Sequence, residues 1–173
     1  MAPILQVKNL QTHFFTKSGV LKAVDGVSFK IGAGEIIGLV GESGSGKSIT
    51  GFSILGLVDA PGRIVGGQIL FKGRDMTSIP PAEMQKLRGS RIAMIFQDPM
   101  MTLNPVLRIE TQMVESILTH DKSISKEEAR QRSRDALGLV GISSPEERMR
   151  AYPHQFSGGM RQRVSIAIAM LNR

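Results

Sequence analysis

The chain has 173 residues, 41% apolar and 21% charged, which suits one ordinary domain or a domain with a subdomain and excludes global disorder. It contains no cysteine, so disulfide frameworks, thiolate metal sites and thiol nucleophiles are ruled out. Lysine and arginine (22) exceed aspartate and glutamate (15) by 7, a basic balance that suits an anionic surface or a polyphosphate, while 5% aromatics and no tryptophan supply few base-stacking platforms, so no nucleic-acid partner is expected.

Met1 to Gln6 lacks the basic and apolar segments of a secretory signal, and no apolar run reaches the ~18 residues that cross a bilayer. The expectation is a soluble or peripheral protein. Ile4–Leu10, Val20–Val24 and Val27–Ile31 alternate between glycine-bearing turns and predict a hairpin-rich β region. Ile36 to Val40 is a nearly continuous apolar run and predicts a strand covered on both faces, as in a parallel sheet. The glycine-rich segment Gly41 to Ser48 follows, and Ile49 to Val58 has the length and apolar content of a helix. Gln68–Lys72 predicts a short strand, Pro80-Pro81 opens a short helix to about Arg88, and Arg91–Phe96 predicts a second compact apolar strand ended by Gln97-Asp98-Pro99.

Beyond Asn104-Pro105 the pattern is helical. Ser125 with Glu128, and Ser144-Pro145-Glu146-Glu147, both predict capped helix starts. Ala129, Ser133, Ala136, Leu137 and Val140 share one helical face, which turns Arg130, Arg132 and Arg134 toward a solvated surface. Met160, Val164, Ala167, Ile168 and Leu171 repeat that spacing in a last amphipathic helix.

Gly41-Glu42-Ser43-Gly44-Ser45-Gly46-Lys47-Ser48 satisfies G-x-x-x-x-G-K-S without a mismatch. Glycines let a backbone wrap phosphate oxygens, and the helix that follows adds the positive end of its dipole. Lys47 is placed to supply charge to the β- and γ-phosphates and the Ser48 hydroxyl to ligate Mg²⁺, with Ile49 completing the cradle. The pattern fits a GTPase poorly: Asp59-Ala60-Pro61-Gly62 matches D-x-x-G only at the end of the predicted helix, and no N-K-x-D occurs.

Two further segments narrow the family. Ile95-Phe96-Gln97-Asp98-Pro99 resembles the Q-loop of ABC-type ATPases, and Phe156-Ser157-Gly158-Gly159-Met160-Arg161-Gln162 resembles their signature, usually written L-S-G-G-Q, with Phe156 and Met160 as departures. The run Tyr152 to Arg163, together with Ala23–Phe29, Val40–Ser48 and Phe96–Pro105, is similar to the ATPase subunits of dipeptide and oligopeptide ABC importers, with nickel and glutathione importers close behind. The resemblance covers essentially the whole chain. It implies an α/β fold: a P-loop NTPase, RecA-like core with an antiparallel β subdomain over residues 1–103, and a helical subdomain with the signature helix over 104–173.

By the same resemblance, ATP and Mg²⁺ are the ligands, with Lys47 and Gln97 catalytic and Ser48 and Gln97 on the metal. An aromatic stacks on adenine, Phe14 by its spacing from Leu10 or else Phe15. Ser157, Gly158, Gly159 and Met160 face the ATP of a second ABC ATPase subunit, in a homo- or heterodimer. Transmembrane permease subunits dock on the helical segment, a solute-binding protein acts indirectly, and the subunit sits on the cytoplasmic face of the inner or plasma membrane. The family places an apolar strand ending Asp-Glu after the signature helix, and no Asp-Glu dipeptide occurs here. The expectation is therefore the N-terminal portion of a longer subunit that binds ATP weakly and lacks the catalytic glutamate. A non-transport ABC ATPase of DNA repair or translation, or a non-catalytic nucleotide-binding fragment, are the alternatives.

Overall fold

The computed structural model describes residues 2–98 and 102–172. Pro99, Met100 and Met101, within one of the stretches that carry the family resemblance, lie outside the described residues. The chain divides into two compact units, one up to Gln85 and one from Lys86 onward.

The first unit is built on a four-stranded antiparallel sheet in the order β2-β1-β3-β4, from β1 (Leu5–Thr16), β2 (Gly19–Ile31), β3 (Gly62–Phe71) and β4 (Arg74–Asp75). The predicted short strands of the opening region merge into one long hairpin, paired from Leu5↔Ile31 to Thr16↔Gly19. Helix α1 (Lys47–Ile54) packs on β1 and β2, and α2 (Pro81–Leu87) follows the sheet. Val7, Leu10, Val24, Ile69, Met76 and Met84 are buried. The central strand kinks at Asn9, whose φ is 47°, and the register slips between Val7 and Leu10. Gly67 makes the kink possible: its φ is +84°, and a Cβ there would lie 2.3 Å from the Asn9 carbonyl oxygen.

Thr12 and Ser53, both buried, fasten α1 to β1 through hydroxyls 2.8 Å apart. Ser53 Oγ donates its one proton to the Ile49 carbonyl at 2.7 Å, so Thr12 is the donor between the two hydroxyls. The helix that begins at Lys47 is thereby held against the sheet by a satisfied polar pair.

Two predicted strands do not form. Ile36–Val40 is irregular, with Ile36 97% and Val40 91% exposed. Arg91–Phe96 makes only an isolated bridge, Arg88↔Ile92. An apolar run becomes a buried strand only when neighbours bond its amides and cover both faces. No strand among the described residues pairs with 36–40. Residues 91–96 keep the two-residue alternation of an extended chain, exposed at Arg91, Ala93 and Ile95 and half-buried at Ile92, Met94 and Phe96.

The second unit contains α3 (Ile109–His120), α4 (Lys126–Leu139), α5 (Pro145–Met149) and α6 (Gly158–Met170). Helix α4 packs against α3, α5 and α6. Their shared core includes Ile109, Met113, Ile117, Leu137, Met149 and Val164, all fully buried. The apolar spacing of α4 is realised, with Ala129, Ser133, Ala136 and Leu137 buried and Val140 against the cluster. Ser125 caps α4, its hydroxyl accepting from the Glu128 amide at 3.1 Å. Ser144 is different from expectation: its φ is 50° and its side chain caps nothing, because the chain turns left-handed there to enter a five-residue helix.

The arginines of α4 are not a solvated face. Arg130 pairs with Glu110 at 2.9 Å and with Glu146, Arg134 reaches Glu146 at 3.1 Å, and Arg132 donates to the Leu171 carbonyl at 3.0 Å. Arg150 adds a third guanidinium to Glu146 at 3.3 Å. Residues distant in sequence supply these partners, so helical periodicity alone cannot reveal them. Desolvation pushes the Glu146 carboxyl up, but hydrogen bonds from Arg134 and Arg150 and the charges of Arg130 and Arg134 outweigh it and hold the group below the usual carboxylate range. The unfolded chain therefore takes up this proton first as pH falls. The stability that Glu146 contributes is complete above the ordinary glutamate value of about 4.3 and is lost as pH drops through the lower folded value. Glu146→Gln is expected to make the acid limb of stability shallower than in wild type below about pH 4.5, read from urea midpoints between about pH 3 and 6.

Candidate functional site

The loop Gly41–Gly46 enters α1 through two left-handed glycines, Gly44 at φ +82° and Gly46 at φ +89°. Gly46 is the helix N-cap and offers no side chain, so no side-chain cap bonds the first-turn amides of α1. Its carbonyl accepts from the Thr50 amide at 2.8 Å and from Thr50 Oγ1 at 3.0 Å. A Cβ on Gly46 would stand 2.2 Å from the Ala23 carbonyl oxygen. Ala23 is the extra residue between the pairs Thr12↔Val24 and His13↔Lys22, so a bulge in β2 directs that carbonyl at the loop.

Lys47 folds back over the loop. Its ammonium donates to the carbonyls of Gly41 at 2.8 Å and Glu42 at 2.6 Å, and to Ser45 Oγ at 3.3 Å. A Cβ at Gly41 would meet Ser45 Oγ at 2.6 Å, so the Ser45 hydroxyl would have to turn away from it. The segment from Gly41 to Ser45 and Ser48 are exposed, whereas Gly46, Lys47 and Ile49 are half-buried. One ammonium, an uncapped helix start and a glycine-lined concave backbone converge at this point, which is the chemistry that receives a phosphate chain.

Phe14 lies on the α1 face of β1, the face that also carries Thr12, and stands over its cross-strand partner Gly62; a Cβ at Gly62 would be 2.6 Å from the ring. Phe15 faces the opposite side, under the Arg63 guanidinium at 4.2 Å. Gln97 is exposed in the second unit at the end of the extended segment.

The second glycine-rich helix start belongs to α6. Ser157 is its N-cap, accepting from the Met160 amide at 3.3 Å, and Gly158 and Gly159 are exposed with open space where a Cβ would be. Phe156 is buried and anchors the turn, and Arg161 Nε ties it back to the Pro153 carbonyl at 2.8 Å. Met160 packs against the helical core. Sequence reasoning finds both glycine loops but misses what holds them: Thr12, Ser53 and the Ala23 bulge for the first, and the Arg161–Pro153 bond for the second. The Ala23 bulge and the Thr12–Ser53 pair are contacts across the chain with no local signature. Among the described residues, no group of three or more histidine or acidic side chains gathers as a metal site, and no helix is long and apolar enough to cross a membrane.

The model of the ABC transporter family matches residues 24–173. Over 98% of its length the chain is 52% identical to an oligopeptide transport ATP-binding protein, AppD, of Bacillus subtilis, covering 52% of that protein. It is 49% identical to the oligopeptide transport ATP-binding protein OppD of Escherichia coli, over 98% of the chain and 50% of the relative. The chain thus spans about half the length of the curated relatives it matches. Among solved structures, the dimeric ATP-binding cassette MJ0796 in a post-hydrolysis state with ADP and Pi superposes with a TM-score of 0.86 at 26% identity, over 97% of this chain and 69% of that one. Both glycine-rich helix starts fall inside the matched region, and on that match the chain belongs to the ABC transporter family and has the fold of its ATPases.

Proposed function

We propose that this chain is the ATP-binding part of an ABC-type ATPase subunit that powers peptide import, with residues 1–103 as nucleotide-binding core and 104–173 as helical subdomain. The observation that carries the reading is the loop itself: Gly46 sits where only glycine fits, and the Lys47 ammonium is turned onto the loop oxygens. Gly41 to Ile49 would cradle the phosphates of ATP, with Glu42, Ser43, Gly44 and Ser45 contributing backbone amides. Lys47 would neutralise phosphate charge, Ser48 and Gln97 would hold Mg²⁺, and bound Mg-ATP supplies the phosphoryl group whose hydrolysis resets the subunit. Phe14 is preferred over Phe15 for stacking on adenine because it shares the face of β1 on which α1 packs, while Phe15 is occupied by Arg63 on the other.

Ser157, Gly158, Gly159 and Met160 would offer a second uncovered helix start to the nucleotide of a partner ATPase subunit, homo- or heterodimeric. The exposure of Ser157, Gly158 and Gly159 supports that role. Transmembrane permease subunits, with a solute-binding protein acting through them, would couple nucleotide state to transport from the cytoplasmic face of the membrane. Peptide as the solute rests on the names of the relatives. The test is Mg-ATP binding by the chain, measured by calorimetry. A saturable, Mg²⁺-dependent affinity is expected, weakened roughly 10- to 100-fold in Lys47→Ala because a charge-assisted contact is lost. Equal affinities with and without Lys47 would overturn the reading.

A further inference from the structure

The helical unit carries a basic concavity that includes no residue of either glycine loop. It measures about 640 Å³ and is lined by Lys86, Arg91, His120, Lys122 and Arg132, with Asp121 as the one carboxylate. Counting histidine as neutral, the lining carries three more positive charges than negative ones. Elsewhere in the same unit acidic partners are provided: Arg130, Arg134 and Arg150 all find Glu146. Lys86, Arg91 and Lys122 have no ion-pair partner among the described residues. Asp121 is already engaged, accepting from the Ser123 amide at 3.0 Å and from Ser123 Oγ at 2.6 Å. Arg132 spends one N–H on the Leu171 carbonyl and keeps its other donors.

A blander cause for the cations is the helix dipole, since α3 ends at His120 and α6 ends beside Asn172, both on this lining. Two helix C-termini offset about one elementary charge between them. That leaves the concavity about two positive charges in excess, a like-charge arrangement that a multivalent anion would relieve. Hydroxyl and amide groups of Ser90, Thr119 and Asn172 complete a polar lining.

We propose that this concavity is an anion site, separate from the Lys47 loop, for a phosphate monoester or diphosphate group, carried either by a small soluble molecule or by a lipid headgroup. Residue-resolved NMR separates it from the glycine loop. Titrating the chain with inorganic pyrophosphate is expected to shift the amides of Ser90 and Thr119–Lys122 saturably, whatever happens at residues 42–48. The double variant Arg91→Ala/Lys122→Ala, with exposed side chains at both positions, should weaken that binding about tenfold or more while leaving the rest of the spectrum in place. A second arm sediments the chain with vesicles of phosphatidic acid in phosphatidylcholine against phosphatidylcholine alone. Saturable pyrophosphate shifts lost in the double variant assign a soluble ligand. Variant-sensitive sedimentation with phosphatidic acid and no pyrophosphate response assigns the headgroup. Shifts confined to the glycine loop with no variant-sensitive sedimentation, or a double variant within twofold of wild type in both arms, overturn the site.

Discussion

Gly46→Ala is expected to weaken Mg-ATP binding by more than about a hundredfold, a larger loss than removal of the Lys47 ammonium. Two costs combine. Alanine at a φ of +89° occupies the left-handed region at roughly 1 kcal/mol. The greater cost is steric, because the new Cβ would lie 2.2 Å from the Ala23 carbonyl oxygen, a backbone atom that cannot swing aside. Relief requires the loop and the start of α1 to move by about 1 Å, the scale of displacement that undoes aligned polar contacts. Every first-turn amide moves with it, so the whole cradle is affected rather than one contact. Gly44→Ala is the control: it shares the left-handed backbone, at φ +82°, but nothing lies within 4 Å of its Cβ position. It should cost about 1 kcal/mol and less than about tenfold in affinity. The comparison is made by calorimetric titration of Mg-ATP into both variants. Equal losses at positions 44 and 46 would show that the contact with Ala23 does not govern the loop.

The contrast between what was readable in the sequence and what was not follows the range of the interactions. The glycine–lysine loop, the Ser125 cap and the buried faces of α4 and α6 depend on residues three to eleven positions apart, and all are legible. Ile36–Val40 has the composition of a strand and does not form one, because a strand is defined by partners and composition says nothing about whether they are present. The Ser144 cap failed for a subtler reason. Ser-Pro-Glu-Glu has the right residues, but the left-handed turn at Ser144 removes its hydroxyl from the helix end. At the candidate site the loop itself was legible, whereas its mounting was not: the Ala23 bulge arises from the strand register, and the Thr12–Ser53 bond spans 41 residues. The partners of Arg130, separated from it in sequence by many residues, belong to the same class.

Ile117→Ala carries the largest expected effect on folding. Ile117 is fully buried in the cluster that joins α3, α4, α5 and α6. Removing its three outer carbons loses their transfer free energy and leaves a cavity whose walls are fixed by four helices, for a cost of about 2–5 kcal/mol. A unit of this size has a total stability of only about 4–13 kcal/mol at the usual value per residue, so one substitution removes a large share of it. The unit carries its own reporter: Tyr152 is the chain's one tyrosine, there is no tryptophan, and the ring stacks 5.7 Å from His154 with Arg108 at 5.8 Å. Tyrosine fluorescence in urea therefore follows the helical unit without contribution from the sheet. With a slope of about 1–2 kcal/mol per molar urea, the midpoint should fall by more than about 1 M. Leu139→Ala, at a side chain 78% exposed, should leave it within about 0.5 kcal/mol of wild type. A midpoint for Ile117→Ala as high as that of Leu139→Ala would mean that the four helices do not close on Ile117, and the mounting of the Ser157 turn on that core, through Phe156 and Met160, would fall with it.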